Sequence, residues 1–183
     1  MLNASRISRR DAFGGLALSF GALSFGLAGA AAAQSPAWAP LALTPAQARA
    51  LDAAAEVIIP ATDTPGARAV GVPQFIDRAV GNWCEKAQAV LLRSGLDRLD
   101  ADARAANGAA FADLTPAQQT AILTGYDTAG APQRAFFITL RELATIGYFT
   151  SKPGATVALR YDPYPGAYRG CVPLKEIGRA WAT

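Results

Sequence analysis

Histidine is absent from this chain of 183 residues, and the only methionine is Met1. Without an imidazole, the sequence excludes Ser-His-Asp and Cys-His catalysis, because both use histidine as the base that moves the proton. It also excludes zinc sites with histidine ligands and the usual axial ligands of haem. Several common classes of hydrolase and metalloenzyme are therefore ruled out.

Cofactor and nucleic-acid motifs are missing as well. Neither the G-x-G-x-x-G pattern nor the P-loop pattern occurs, and two cysteines are too few for a four-cysteine iron–sulfur cluster. The chain has 17 basic and 14 acidic residues. Three of the basic residues and one of the acidic residues lie within residues 1–33, so the rest of the chain carries 14 basic and 13 acidic residues. With no basic stripe interleaved with aromatic residues, nucleic-acid binding is not expected.

The first part of the sequence has the pattern of an export signal. Arg9 and Arg10 precede a charge-free run of 22 residues from Ala12 to Ala33, in which Ala31-Ala32-Ala33 stand directly before Gln34. A twin arginine before a mildly apolar run is typical of a Tat signal, and small residues at its end are typical of a cleavage site. The alternative is an uncleaved membrane anchor, since the run is long enough to span a bilayer.

The predicted organisation is a twin-arginine signal over residues 1–33, a linker over residues 34–43 and a helical domain over residues 44–183. The Tat route exports proteins that are already folded, often with their cofactors bound. A Tat signal on a chain without a cofactor motif predicts a passenger, which is exported in complex with a partner that folds around its cofactor.

Helical patterns fill most of the remaining sequence. Thr44, Pro45 and Gln47 form a capping-box signature before a helix that runs to about Ile59, and the same cap recurs at residues 114–118. Further helices are predicted from Pro73, over about residues 85–106 and over about residues 133–149. The predicted fold class is all-α, a small orthogonal helical bundle with a long C-terminal loop rich in Pro, Gly and Tyr.

That loop, over residues 152–173, is the candidate binding segment. Loops of this length are uncommon unless they are functional or disordered, and tyrosine and arginine are enriched in binding hot spots. The predicted partner-binding residues are Arg160, Tyr161, Asp162, Tyr164, Tyr168 and Arg169. The alternative is a loop whose tyrosines pack on its own domain.

Carboxylates give a different alternative, a hydrolase that needs no histidine. Glu56, Asp63 and Asp162 lie in or near the two loops, and pairs of carboxylates can perform acid–base chemistry at suitable separations. Nothing in the sequence sets such a separation, and both aspartates also fit turn chemistry.

Cys84 and Cys171 are the only cysteines. An even cysteine count in an exported protein favours a disulfide, which would tie the C-terminal loop to the bundle. Two free thiols are the alternative.

The order of several short motifs resembles the gluconate 2-dehydrogenase subunit 3 family. The stretches that carry the resemblance are Leu43-Thr44-Pro45, Val57 to Ala67, Gly71 to Asp77, Gly147 to Ser151, Leu159 to Pro163, Pro165-Gly166 and Gly170 to Leu174. Residues 85–113 carry no matching motif, whereas Cys171 lies within one.

The resemblance implies a non-catalytic small subunit of a sugar or sugar-acid dehydrogenase, without a cofactor of its own. FAD would be held by a large subunit of the glucose–methanol–choline type, and haem by a cytochrome c subunit that passes electrons to quinones. The small subunit would support maturation and Tat export of the flavoprotein, with contact to the Tat translocase during export. The location would be the periplasm, with attachment to the membrane through the partner subunits. A stand-alone periplasmic adaptor remains the alternative function.

Overall fold

The computed structural model describes residues 38–164, 166–167 and 171–182. The predicted signal residues Arg9 and Arg10 and the predicted partner-binding residues Tyr168 and Arg169 lie outside this part of the chain. The described elements are α1 (Pro45–Ile58), α2 (Val72–Asn82), α3 (Lys86–Asn107), a 3₁₀ turn (Phe111–Asp113), α4 (Pro116–Thr128), α5 (Gln133–Phe149), a π-helical turn (Gly154–Ala158) and α6 (Leu174–Ile177).

Both predicted capping boxes are confirmed. The Gln47 backbone N–H donates to Thr44 Oγ1 at 3.2 Å, and the Thr44 backbone N–H donates to Gln47 Oε1 at 3.0 Å. Thr115 and Gln118 repeat both bonds at the start of α4. Each box satisfies two helix-end donors, which explains why both helices begin at the proline after the threonine.

Helix α1 lies at the centre of the domain and packs against α2, α3, α4 and α5. Its small side chains make this possible, because alanine lets neighbouring helices approach the backbone from several sides. Ala48, Ala54, Ala55 and Leu51 are fully buried. The predicted all-α bundle is confirmed for the described residues.

Two glycines set how closely α5 packs on its neighbours. A Cβ atom at Gly95 of α3 would overlap the ring of Phe136, and one at Gly147 of α5 would lie 2.6 Å from Phe75 Cδ1. In each place an aromatic ring of one helix lies directly on the backbone of another. A larger residue at either position would push two helices apart.

The chain before α1 is fixed to the domain by Asp77 of α2. This carboxylate is only 2% exposed and accepts the backbone N–H groups of Leu41 at 2.7 Å, Ala42 at 3.0 Å and Leu43 at 3.1 Å, and the indole N–H of Trp38 at 3.3 Å. A buried carboxylate needs such partners to offset its lost hydration. Residues 38–43 of the predicted linker are therefore packed as part of the helical domain.

The predicted C-terminal loop holds more structure than the sequence indicated. Residues Gly154–Ala158 form a π-helical turn that packs against α5, and α6 follows residues 171–173. Gly154 is required here, because a Cβ atom would overlap the carbonyl of Tyr148. The irregular part that remains begins at Leu159.

The predicted disulfide between Cys84 and Cys171 is wrong for this structure, in which both cysteines are free. Cys84 follows α2, with its backbone N–H bonded to the Ala79 carbonyl at 2.9 Å and its side chain packed against the core. Cys171 is exposed in the segment before α6. A disulfide requires the two side chains to face each other within bonding reach, and these two differ in their surroundings. Burial raises the pKa of the Cys84 thiol, which makes it less reactive.

No helix within the described part of the chain is both long and apolar enough to cross a membrane.

Candidate partner-binding surface

The C-terminal tail returns to the predicted binding segment and pairs with it at Arg160. The Arg160 backbone N–H donates to the Ala180 carbonyl at 2.8 Å, and the Ala182 N–H donates to the Arg160 carbonyl at 2.9 Å. These two bonds form a parallel bridge between Arg160 and Trp181. The tail thereby fixes the backbone at the start of the irregular segment.

Side chains reinforce the same pairing. The Arg160 guanidinium lies over the Trp181 ring, 4.5 Å from its centroid, and donates to the Ile177 carbonyl at 3.3 Å. Arg179 donates to the Val157 carbonyl, so the tail is also tied to the π-helical turn. We call this set of contacts the tail clasp. Arg160 was predicted to contact a partner, whereas its observed contacts are with its own tail.

Tyr161 and Tyr164 project from the segment that the tail clasp holds. Their exposed fractions are 57% and 88%, so neither ring packs into the bundle. Asp162 stands between them, and its Oδ1 accepts the backbone N–H of Tyr164 at 3.0 Å. Asp162 thus shapes the turn that presents Tyr164, as expected for an Asx-type turn.

Exposed apolar side chains are concentrated in this region of the chain. Six of the nine large apolar residues that are exposed in the described part of the chain lie at or after residue 146. We call these six the C-terminal surface: Ile146, Phe149, Val157, Tyr161, Tyr164 and Trp181. Exposed apolar patches mark interaction sites in soluble proteins, so these six residues are the candidates for contact with a partner.

Of the six residues of this surface, the sequence analysis named only Tyr161 and Tyr164 as partner-binding. Ile146 and Phe149 lie outside the buried stripe of α5, which contains Phe136, Leu140 and Leu143. Their position outside the apolar stripe is visible in the sequence, because apolar residues on the outer face of an amphipathic helix break its pattern. Trp181 gave no such signal, because its partner Arg160 is distant in sequence.

The three candidate carboxylates are engaged locally. Glu56 accepts the backbone N–H groups of Ala61 at 3.3 Å and Arg68 at 2.9 Å, which closes the loop after α1. Asp63 accepts the hydroxyl of Thr62 at 2.9 Å, and Asp162 holds its turn. Within the described residues, no cluster of three or more His, Cys, Asp or Glu side chains could hold a metal.

The loop after α1 is also bound to α5, because the Tyr148 hydroxyl donates to the Pro65 carbonyl at 2.8 Å. Beneath it, Arg68 Nε pairs with Asp52 Oδ2 at 2.7 Å, while Asp52 Oδ1 is buried without a partner. Burial raises the pKa of Asp52, and the neighbouring Arg68 opposes that shift. These contacts give the loop a structural role, that of holding α1 and α5 in place.

The family model described as Gluconate 2-dehydrogenase subunit 3 matches residues 45–166, well over half of the chain. This range includes the bundle, the π-helical turn and the segment with Tyr161 and Tyr164. Comparisons with curated proteins and with solved structures found no match. The chain belongs to the gluconate 2-dehydrogenase subunit 3 family, whose members are accessory subunits of an oxidoreductase complex.

Proposed function

We propose that this chain is the non-catalytic small subunit of a periplasmic FAD-dependent dehydrogenase that oxidises a sugar or sugar acid. It binds a flavoprotein of the glucose–methanol–choline type through the C-terminal surface and supports its maturation and Tat export. FAD resides in that large subunit, and haem c resides in a cytochrome subunit where one is present.

The observation that carries the proposal is the presentation of Tyr161 and Tyr164. Both rings are exposed, and the backbone that bears them is held by the tail clasp and by the Asp162 turn. Tyrosine offers a large contact area and loses few rotamers on binding, and a preformed segment lowers the entropy cost of association. This arrangement fits recognition of a protein surface.

The exported location is supported by the sequence. Arg9 and Arg10 precede the apolar run from Ala12 to Ala33, as in a Tat signal. The absence of histidine and of a nucleotide-binding motif supports the assignment of the dehydrogenation chemistry to a partner that holds the cofactor. The export signal therefore serves a partner that carries the cofactor, and the Tat translocase recognises the pair.

The test is an affinity purification of the tagged full-length chain from periplasmic and membrane fractions of its host. Mass spectrometry identifies the bound proteins, and the visible spectrum reports flavin and haem. We expect a stoichiometric flavoprotein without a signal peptide of its own. Recovery of the chain alone, or with a partner that lacks flavin, would contradict the proposal.

The Tat route has a separate control. Arg9→Lys combined with Arg10→Lys is expected to retain both the chain and the flavoprotein in the cytoplasm, because translocation depends on the arginine pair. If the flavoprotein still reaches the periplasm in this variant, it does not depend on this chain for export.

A further inference from the structure

A cavity of about 300 Å³ lies between α3, α4 and α5, and none of its lining residues belongs to the C-terminal surface. Four of the lining residues follow helical spacing along one face of α3: Leu91, Ser94, Gly95 and Arg98. Tyr126 closes the cavity from α4, and Gln133 and Phe136 close it from the start of α5. Spaces between the helices of a bundle are common places for small-molecule sites.

The floor of the cavity is apolar and aromatic. Because Gly95 has no side chain, the Phe136 ring lies directly on the backbone of α3. The Tyr126 ring stands edge-on to Phe136, with the centroids 6.1 Å apart and the planes inclined at 77°. The Tyr126 hydroxyl is already bonded to Asp102, so the ring is the part that is left to contact a ligand. Such a floor suits a flat apolar group.

The rim of the cavity is polar, and Arg98 is the one charged residue among those that line it. Arg98 Nε lies 3.7 Å from Asp102 Oδ2, beyond hydrogen-bond distance, and the guanidinium donates no hydrogen bond within the described residues. The Ser94 hydroxyl, which donates to the Leu91 carbonyl at 3.3 Å, and the Gln133 amide offer further polar atoms. A guanidinium with free donors fits a carboxylate, which accepts two parallel hydrogen bonds from it.

We infer that this cavity binds a small carboxylate with a flat apolar body. Tyr126 and Phe136 contact the apolar body, and Arg98 binds the carboxylate. The cavity volume is at the lower end of the range for small-molecule sites, which favours a ligand of about the size of phenylpropionate. A neutral ligand would leave the guanidinium donors unpaired. The inference goes beyond the proposed function and does not depend on it.

The experiment titrates the purified full chain with phenylpropionate as the probe and with phenylpropanol as its neutral counterpart. Amide chemical shifts in nuclear magnetic resonance spectra report both the binding site and the dissociation constant. We expect phenylpropionate to shift the amide signals of Ser94, Gly95 and Gln133, and to bind about tenfold more tightly than phenylpropanol, because the alcohol lacks the charge that Arg98 recognises.

Two arginines of α3 give a matched pair of variants. Arg98 and Arg104 have the same exposed side-chain fraction of 56%, and Arg104 pairs with Asp100 without lining the cavity. Arg98→Gln is expected to weaken phenylpropionate about tenfold and to leave phenylpropanol unchanged, whereas Arg104→Gln should change neither. The melting temperature of each variant shows that it is folded.

A second pair tests the apolar floor. Leu91 lines the cavity, whereas its neighbour Val90 does not line it and is 61% exposed. Leu91→Ala should weaken both probes severalfold, because it removes apolar contact area, and Val90→Ala should weaken neither.

Three outcomes would overturn the inference. The first is an absence of phenylpropionate binding at these amides. The second is equal affinity for the two probes, or equal effects of Arg98→Gln and Arg104→Gln, since Arg98 would then not recognise the carboxylate. The third is loss of probe binding when the flavoprotein is bound, which would assign the cavity to a group of that partner in place of a free ligand.

Discussion

The guanidinium of Arg160 lies 4.5 Å from the centre of the Trp181 ring, and the backbones of the same two residues pair as a parallel bridge. This one relationship joins the tail to the segment that bears the exposed tyrosines. It gives Arg160 a role in positioning the segment that bears Tyr161 and Tyr164, while its contact with a partner stays a prediction.

The tail clasp should open when its aromatic member is removed. Trp181→Ala loses the cation–π contact, which is worth about 0.5–1 kcal/mol at an exposed site. We expect faster hydrogen exchange at the amide of Ala182, which bonds to the Arg160 carbonyl, and an unchanged melting temperature. Arg141→Ala is the control, because it removes another cation–π contact, in which Arg141 lies over Phe137 at 5.6 Å, and leaves the Arg160–Trp181 pair intact. Unchanged exchange at Ala182 in Trp181→Ala would show that the ring does not hold the tail.

The Asp77 carboxylate should be a main support of the segment before α1. Asp77→Asn replaces one acceptor oxygen with an amide that faces backbone donors, so we expect the free energy of unfolding to fall by about 2–4 kcal/mol. Chemical denaturation measures it. Asp127→Asn is the control, because the Asp127 side chain is half-exposed and its pair with Arg141 spans 3.9 Å, so its loss should cost less than about 1 kcal/mol. Equal effects of the two variants would contradict a special role for Asp77.

Gly147 should tolerate no side chain. Gly147→Ala forces Phe75 off the backbone of α5, which we expect to cost about 1–3 kcal/mol of unfolding free energy. Gly125 of α4 is the matched control, since a Cβ atom there meets nothing within 4 Å. Gly125→Ala should stabilise the protein by about 0.5–1 kcal/mol through helix propensity. An unchanged free energy of unfolding in Gly147→Ala would mean that Phe75 can move without loss of stability.

Tyr126 should titrate above the ordinary range of a tyrosine side chain. Burial, together with the hydrogen bond that its hydroxyl donates to Asp102 at 2.8 Å, raises the pKa of Tyr126 above its ordinary value. Since the pKa is higher in the folded state than in the unfolded state, the contribution to stability is complete below about pH 10 and is lost as the pH rises through the folded-state pKa. Ultraviolet titration should show a phenol that titrates above the ordinary range, and Tyr126→Phe should remove that late titration.

The same variant has a stability readout. Tyr126→Phe is expected to lose about 1 kcal/mol of unfolding free energy at neutral pH, the value of one hydrogen bond. It should also lose stability less steeply at alkaline pH than the unmodified protein. An equally steep alkaline loss in the variant would assign that loss to another group.

Local chemistry made much of the fold predictable. The threonine caps and proline starts of α1 and α4, and the stripe of α5, all depend on residues within a few positions of one another. The contact of Asp77 with Leu41 joins residues 36 apart, and nothing in the local pattern of α2 distinguishes this aspartate from a surface one. The tail clasp and the Phe75–Gly147 contact also depend on long-range packing, so sequence alone did not reveal them. The disulfide prediction failed for the same reason, because cysteine count carries no information on which thiol the core covers.

The central claim is that the C-terminal surface binds the flavoprotein subunit. Its most direct test is the dissociation constant of the purified flavoprotein for the full-length chain with Tyr161→Ala and Tyr164→Ala combined, against Val90→Ala. We predict a rise of at least about tenfold for the tyrosine variant and none for the control, with the same melting temperature in both. An unchanged dissociation constant in the tyrosine variant would contradict the claim.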